Sequence, residues 1–322
     1  MRREAGTGSP DDARPRRAEA KTTIREERSG VPTYPFRIPG AEGEPIRGDL
    51  HHPQTAASQP PPPVLVLVHG FKGFKDWGGW PAVCDAFAEA GVAALRFDLS
   101  HNGVGDDGVD FSELEKFGRD TVSKEVFDIG TVVSALRENR LGLEIDTAAF
   151  SPPFLLGHSR GGAGVLIYSG ERAPGELAGV ITWASVSSLG RFWPAEHIEA
   201  WNRGETVYVA NMRTGQQMPI EPGYYHDLME NRERFDIEAA VGRLARAGTP
   251  LCVLHGTADP SVPVAQGREI RSWAEAAAHP DFRYHEIEEA EHTFGATHPW
   301  GGWAPELRSA FERTLDFVRD HR

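Results

Sequence analysis

A chain of 322 residues can bury a large core and suits one α/β domain carrying an insertion. Its formal net charge of -13 argues against nucleic acid and anionic membrane surfaces as partners, because both reward clustered Lys and Arg. Two cysteines, Cys84 and Cys252, are too few for a disulfide framework and read as buried free thiols in a reducing compartment.

Residues 1–30 mix Arg, Glu, Asp, Pro and Gly with almost no apolar side chain, so burial cannot offset the entropy of ordering them and a disordered tail is expected. The tail lacks the apolar run of a secretory signal, and no stretch approaches the roughly 18 apolar residues of a membrane span. A cytoplasmic protein without a membrane partner is the expectation. Segments 34–38 and 46–51 alternate around Gly40-Ala41-Glu42-Gly43, as in an antiparallel hairpin. Residues 54–63 end in four prolines and form an extended connector. Residues 64–68 follow without a polar side chain, the habit of strands buried on both faces in a helix-covered parallel sheet.

Strand and helix signals then alternate: helix 80–90, strand 92–97, helix 117–140, strand 153–157, helix 161–171, strand 177–184. The rhythm resumes with strand 251–255, helix 264–278, strand 282–287 and helix 305–319. Repeated βαβ units predict a doubly wound, mostly parallel sheet of about eight strands. The interval from about 189 to 248 breaks the pattern with helix 195–201, a hairpin of 207–209 with 217–220, and helix 224–234. It is too structured for a plain loop and reads as a small cap, inserted at the carboxyl edge of the sheet where open α/β sheets bind ligands.

Within this frame, Phe154-Leu155-Leu156-Gly157-His158-Ser159-Arg160-Gly161-Gly162 is an apolar strand running into a serine enclosed by glycines. It reads as a nucleophile elbow, Gly-x-Ser-x-Gly, a sharp strand-to-helix turn that projects the serine hydroxyl. A serine nucleophile requires a base, an acid to orient the base, and donors for the developing oxyanion. Asp259 follows the apolar strand Leu251-Cys252-Val253-Leu254-His255 and is the candidate acid; His292 follows the last strand and is the candidate base. Glu288 and Glu289 are substitutes for the acid, and His298 competes for the base. The backbone N–H groups of Arg160, after the nucleophile, and of Phe71, in the loop His69-Gly70-Phe71-Lys72-Gly73, are the candidate oxyanion donors.

The order Ser159, Asp259, His292, with His69-Gly70-Phe71 ahead of it and His255-Gly256-Thr257-Ala258-Asp259-Pro260 within it, resembles the α/β-hydrolase superfamily from about residue 31 to the end of the chain. Arg96-Phe97-Asp98-Leu99 adds likeness to the branch of dienelactone hydrolases, feruloyl esterases and prolyl-oligopeptidase-like enzymes. Dienelactone hydrolases use a cysteine where this chain has Ser159, so that substrate is not implied. The resemblance implies a serine carboxylesterase acting on small acyl or aryl esters without a cofactor. A serine peptidase of the prolyl-oligopeptidase type is the nearest alternative, although such enzymes place a large domain where only about sixty residues precede the first buried strand here. A noncatalytic ligand-binding protein is the alternative from another class.

Other residues have plainer readings. His69 and His255 precede glycines at strand ends, where an imidazole braces a loop, and His158 is expected to point away from the nucleophile. The Arg160 side chain reads as a salt bridge, Lys72 and Lys75 as exposed charges, and Asp106, Asp107 and Asp110 as a solvated loop lacking a calcium-ligand pattern. No His or Cys cluster has zinc spacing, so no metal is expected. Among the cap aromatics, Trp193 is the candidate pocket residue.

Overall fold

The structure, a computed structural model, describes residues 25–26, 30–54, 60–191 and 193–322. The expected tail therefore lies outside the described residues apart from Arg25, Glu26 and Gly30, as does the middle of the proline-rich connector. Arg25–Glu26 (β1) form a two-residue strand beside Pro32–Pro39 (β2), where the sequence suggested no order.

The run Val64–Val68 (β4) shows how the sheet is seated. Val64, Val66 and Val68 point into one apolar cluster and Leu65 and Leu67 into another, so every side chain of the strand is buried by a different layer. Each such burial contributes about 1.5–3 kcal/mol. Pro45–His51 (β3), Ala93–Phe97 (β5), Phe154–His158 (β6), Gly179–Trp183 (β7), Leu251–Gly256 (β10) and Phe282–Ile287 (β11) complete a sheet of order β1-β2-β3-β5-β4-β6-β7-β10-β11. The strands from β5 to β11 run parallel, and β1, β2 and β3 join as antiparallel neighbours. The doubly wound α/β sheet predicted from the strand–helix rhythm is the one found.

Trp80–Glu89 (α1) and Pro305–Asp320 (α9) cover one face, through Val83, Phe87, Leu307 and Phe317. Val122–Arg137 (α3), Arg160–Gly170 (α4), Ile237–Ala247 (α7) and Val264–Ala276 (α8) cover the other, through Ile129, Val165, Val241 and Ile270. Two boundaries differ from the sequence reading. The helix expected over 117–140 is divided into Leu114–Gly118 (α2) and α3, because Thr121 is an extended N-cap whose side chain accepts from the Lys124 N–H. The unpredicted α7 is closed by the Asp236 side chain, which accepts from Ala239 N–H, and by Gly248 in the left-handed conformation.

Between β7 and β10 lie Ala195–Asn202 (α5), a separate hairpin of Val207–Ala210 (β8) and Gln217–Ile220 (β9), Pro222–Glu230 (α6), and then α7. Because α7 packs on α4 and α8, it belongs to the layer flanking the sheet. The part of the interval that stands apart from the sheet is therefore 195–230. No described helix is long and apolar enough to cross a membrane.

Candidate functional site

Parallel strands deliver all their carboxyl ends to one edge, so the loops after β4, β6, β10 and β11 converge there. Ser159 sits between β6 and α4 with φ 56° and ψ -122°, a left-handed conformation that costs a non-glycine residue about 1–3 kcal/mol. The turn is held by backbone: Ser159 N–H donates to Trp183 O at 2.9 Å, and Ser159 O accepts from Gly162 N–H at 3.0 Å. Gly161 makes the turn possible, since a Cβ there would fall 2.5 Å from Val68 O. The loop after β4 comes equally close, since a Cβ on Gly70 would fall 2.8 Å from Ser159 Cβ.

Asp259 and His292 meet across the β10 and β11 loops, with Asp259 Oδ2 accepting from His292 Nδ1 at 2.8 Å. The other carboxylate oxygen accepts from Ser261 and Val262 N–H, both at 2.8 Å, so both oxygens are engaged. Burial alone raises the Asp259 pKa, but the hydrogen bond and charge of His292 and the two N–H groups outweigh it and hold the carboxyl below its ordinary value. His255, its Nε2 2.8 Å from Val262 O, braces the same loop. The competing residues lie elsewhere. Glu288 and Glu289 are exposed, and His298 accepts from Gly78 N–H at 2.9 Å while stacking on Trp77.

Ser159 and His292 line one cavity of about 240 Å³, together with Phe71, Trp77, Trp80, His158, Asn211, Met212, Arg213 and Thr293 among others. Of the sequence-predicted residues, Phe71 is on this wall with Ser159 and His292, and Asp259 stands behind His292. Trp193 is not on the wall. Its indole N–H donates to Leu189 O at 3.2 Å and its ring packs against Trp201, Tyr224 and the back of Phe71. It props the Phe71 side chain and leaves the cavity lining to others.

His158 departs from its sequence reading by pointing toward the candidate base. Its Nε2–H donates to His292 O at 2.9 Å, and the two rings lie 4.7 Å apart. Burial pushes the His158 pKa down to about 3, so it is a neutral donor that fixes the His292 backbone. His69 is likewise neutral, with burial pushing it down to about 4; it accepts from Leu99 N–H at 3.1 Å and donates to Gly70 O at 2.9 Å.

The Arg160 side chain turns inward to Asp120 at 2.8 Å and to Glu125, and its guanidinium lies 4.5 Å from the Phe71 ring centroid. Burial works against its charge, but Glu125 and Asp120 outweigh that and hold its pKa above the ordinary value. Burial beside Glu125 raises Asp120 well above the usual carboxylate range. Lys75, read as exposed, is nearly buried and paired with Asp49 at 2.6 Å. Lys72 is partly buried on the cavity wall, with Nζ 3.1 Å from Ala210 O. In the acidic loop, Asp106 pairs with Arg47, and Asp107 accepts from Val109 and Asp110 N–H, leaving a surface turn. Cys84 and Cys252 are free and buried, and burial pushes both thiols up to about 12.

Comparison with known proteins bears on this arrangement. A search of curated proteins gives no match. Among solved structures, Est1E from Butyrivibrio proteoclasticus is 18% identical with a TM-score of 0.59, covering 89% of this chain and 98% of that one. A monoacylglycerol lipase from Paleococcus ferrophilus is 17% identical with a TM-score of 0.60, covering 86% and 99%. A puromycin-hydrolyzing peptidase from Mycobacterium tuberculosis is 18% identical with a TM-score of 0.60, covering 91% of this chain and 40% of that one. These are likenesses of fold. The model of the alpha/beta hydrolase family matches residues 65–306, from the strand before the Phe71 loop to beyond His292. The chain belongs to the alpha/beta hydrolase family.

Proposed function

We propose that this protein is a serine carboxylesterase that hydrolyses small acyl or aryl esters through an acyl-enzyme. The observation that carries the reading is the Asp259–His292 hydrogen bond of 2.8 Å behind a cavity that His292 shares with Ser159. Because Asp259 engages Nδ1, the other ring nitrogen, Nε2, is the one that receives the Ser159 proton. As Ser159 Oγ attacks the ester carbonyl, His292 becomes an imidazolium stabilised by Asp259, and the carbonyl oxygen takes the negative charge. The N–H groups of Phe71 and Arg160 donate to that oxygen. His292 then protonates the departing alcohol, takes a proton from water for the second attack, and returns it to Ser159 as the acid leaves.

Each donor has its own support. Arg160 begins α4, so its N–H is among those a helix start leaves unpaired. The Phe71 ring is clasped between Phe117, at 5.5 Å, and the Arg160 guanidinium, at 4.5 Å, so one buried charge cluster steadies both donors. The segment 195–230 serves as a cap over the cavity, to which the β8–β9 turn contributes Asn211, Met212 and Arg213.

A fluorophosphonate probe and parallel assays on 4-nitrophenyl acyl esters and aminoacyl amides test this. The expected result is labelling of Ser159 and ester turnover far above amide turnover. Preference for amides transfers the triad to a peptidase, and an unlabelled Ser159 in folded protein leaves the fold as a binding module.

A further inference from the structure

The Ser159 cavity has a charge pattern opposite to that of the whole chain. With 47 Asp and Glu against 34 Lys and Arg, the protein is strongly acidic, yet no carboxylate lines this cavity and two cations, Lys72 and Arg213, do. Neither pairs with a carboxylate among the described residues. Lys72 Nζ reaches only the Ala210 carbonyl, at 3.1 Å, and lies 5.4 Å from the Phe71 ring centroid. Arg213 is exposed but positioned, its guanidinium 5.4 Å from the Phe74 ring centroid and 5.6 Å from that of Phe111.

Asn211 lines the same cavity and is only 6% exposed. Its Oδ1 accepts the Arg213 N–H at 3.1 Å, which fixes the amide orientation and leaves Nδ2 as the donor. That Nδ2 is buried with no hydrogen-bond partner among the described residues. The Oδ1 bond holds the β8–β9 turn in the place that brings Arg213 to this wall. Two cations on a cavity wall that also carries Phe71, Trp77, Trp80 and Met212 match an oxyanion attached to a compact apolar body.

We propose that Lys72 and Arg213, the latter placed by the Asn211-anchored turn, form an anion subsite in the Ser159 cavity, so that the preferred substrates are small esters carrying a carboxylate. The inference rests on the serine-esterase reading for the reaction itself; the subsite sets only which esters are held. The carboxylate is taken up by Lys72 and Arg213, and the ester carbonyl is presented to Ser159. A cleft of low dielectric focuses the field of both cations on the arriving anion.

The test uses two isosteric pairs, because the carboxylate can sit on either side of the ester. On the alcohol side 4-acetoxybenzoate is compared with 4-acetoxybenzamide; on the acyl side the mono-4-nitrophenyl ester of terephthalate is compared with that of 4-carbamoylbenzoate. Each kcat/KM is divided by the hydroxide-catalysed rate of the same ester. The subsite predicts a preference of about tenfold or more for the carboxylate in one pair, which shrinks at 0.5 M salt. It also predicts a fall toward unity in Lys72→Gln/Arg213→Gln. Because the readout is a ratio, and Ser159 labelling confirms that each variant is folded, loss of overall turnover cannot imitate the effect. Labelling of the wild type with a ratio near one in both pairs, or with no turnover of the carboxylate esters, overturns the subsite alone. Absence of both labelling and turnover overturns the esterase reading and the subsite with it.

Discussion

Below Ser159 the chain is shaped by backbone; above it, by side chains. The floor is made of close approaches between strand ends: a Cβ on Gly161, just after the Ser159 turn, would fall 2.5 Å from Val68 O, and one on Gly70, in the loop after β4, 2.8 Å from Ser159 Cβ. The roof is the β8–β9 turn, whose Met212 is 89% exposed and whose Arg213 rests on two aromatic faces. A floor of this kind tolerates almost no substitution and fixes the candidate triad. A roof of this kind is free to vary, and so is where the proposed esterase would set its selectivity.

Substitutions that break the floor are expected to have the largest effects. Ser159→Ala removes the proposed nucleophile and is expected to lower ester turnover by about 10⁴-fold or more, read by kcat at saturating 4-nitrophenyl acetate. Asp259→Asn keeps the shape but withdraws the acceptor for His292 Nδ1–H, and costs about 10³–10⁴-fold in kcat with little change in melting temperature. His158→Phe removes the N–H that holds His292 O at 2.9 Å. It is expected to lower kcat about 10–100-fold with KM near the wild-type value, the signature of a positioning residue whose loss misaligns the base.

Changes to the roof are expected to be smaller and to show as ratios, as with the roughly tenfold anion preference proposed for Lys72 and Arg213. The smallest expected effect is on stability and comes from beneath the floor. Asp98 is buried, which pushes its pKa up to about 6; its Oδ1 accepts from Lys75 N–H and Asn102 Nδ2–H, and its Oδ2 has no partner among the described residues. A raised carboxyl binds its proton more tightly when folded, so its contribution to stability is greatest below about pH 4 and is lost as pH rises through about 6. Asp98→Asn should therefore gain on the wild type by about 1–3 kcal/mol between pH 4 and pH 7, measured by urea unfolding at both values. A constant difference across that range would contradict the assignment.

The same division explains what the sequence made legible. Ser159 and Asp259 could be nominated because each follows an apolar strand and His292 because it follows the last strand, and the elbow glycines are demanded by backbone distances that any such turn must satisfy. Most strands were readable from continuous apolar runs, which only a helix-covered sheet buries. The helix α7 escaped although Asp236 and Gly248 bracket it with capping signals, because the surrounding interval was read as one insertion. His158 was read as pointing away because its direction depends on a carbonyl 134 residues later. Lys75 looked exposed because Asp49, which pairs with it at 2.6 Å, lies on a different segment, β3. Asn211 and Arg213 carry no motif at all: what they line is decided by how the β8–β9 turn folds back over the sheet edge.

The central claim is that Ser159 is acylated by substrate with His292, oriented by Asp259, as its base. Intact-protein and peptide mass spectrometry after rapid quenching of a reaction with 4-nitrophenyl acetate tests it most directly. The account predicts an acetyl group on the peptide carrying Ser159, absent in Ser159→Ala and strongly reduced in His292→Ala. Acetyl transfer to another residue during steady turnover, or turnover persisting in Ser159→Ala, would contradict it.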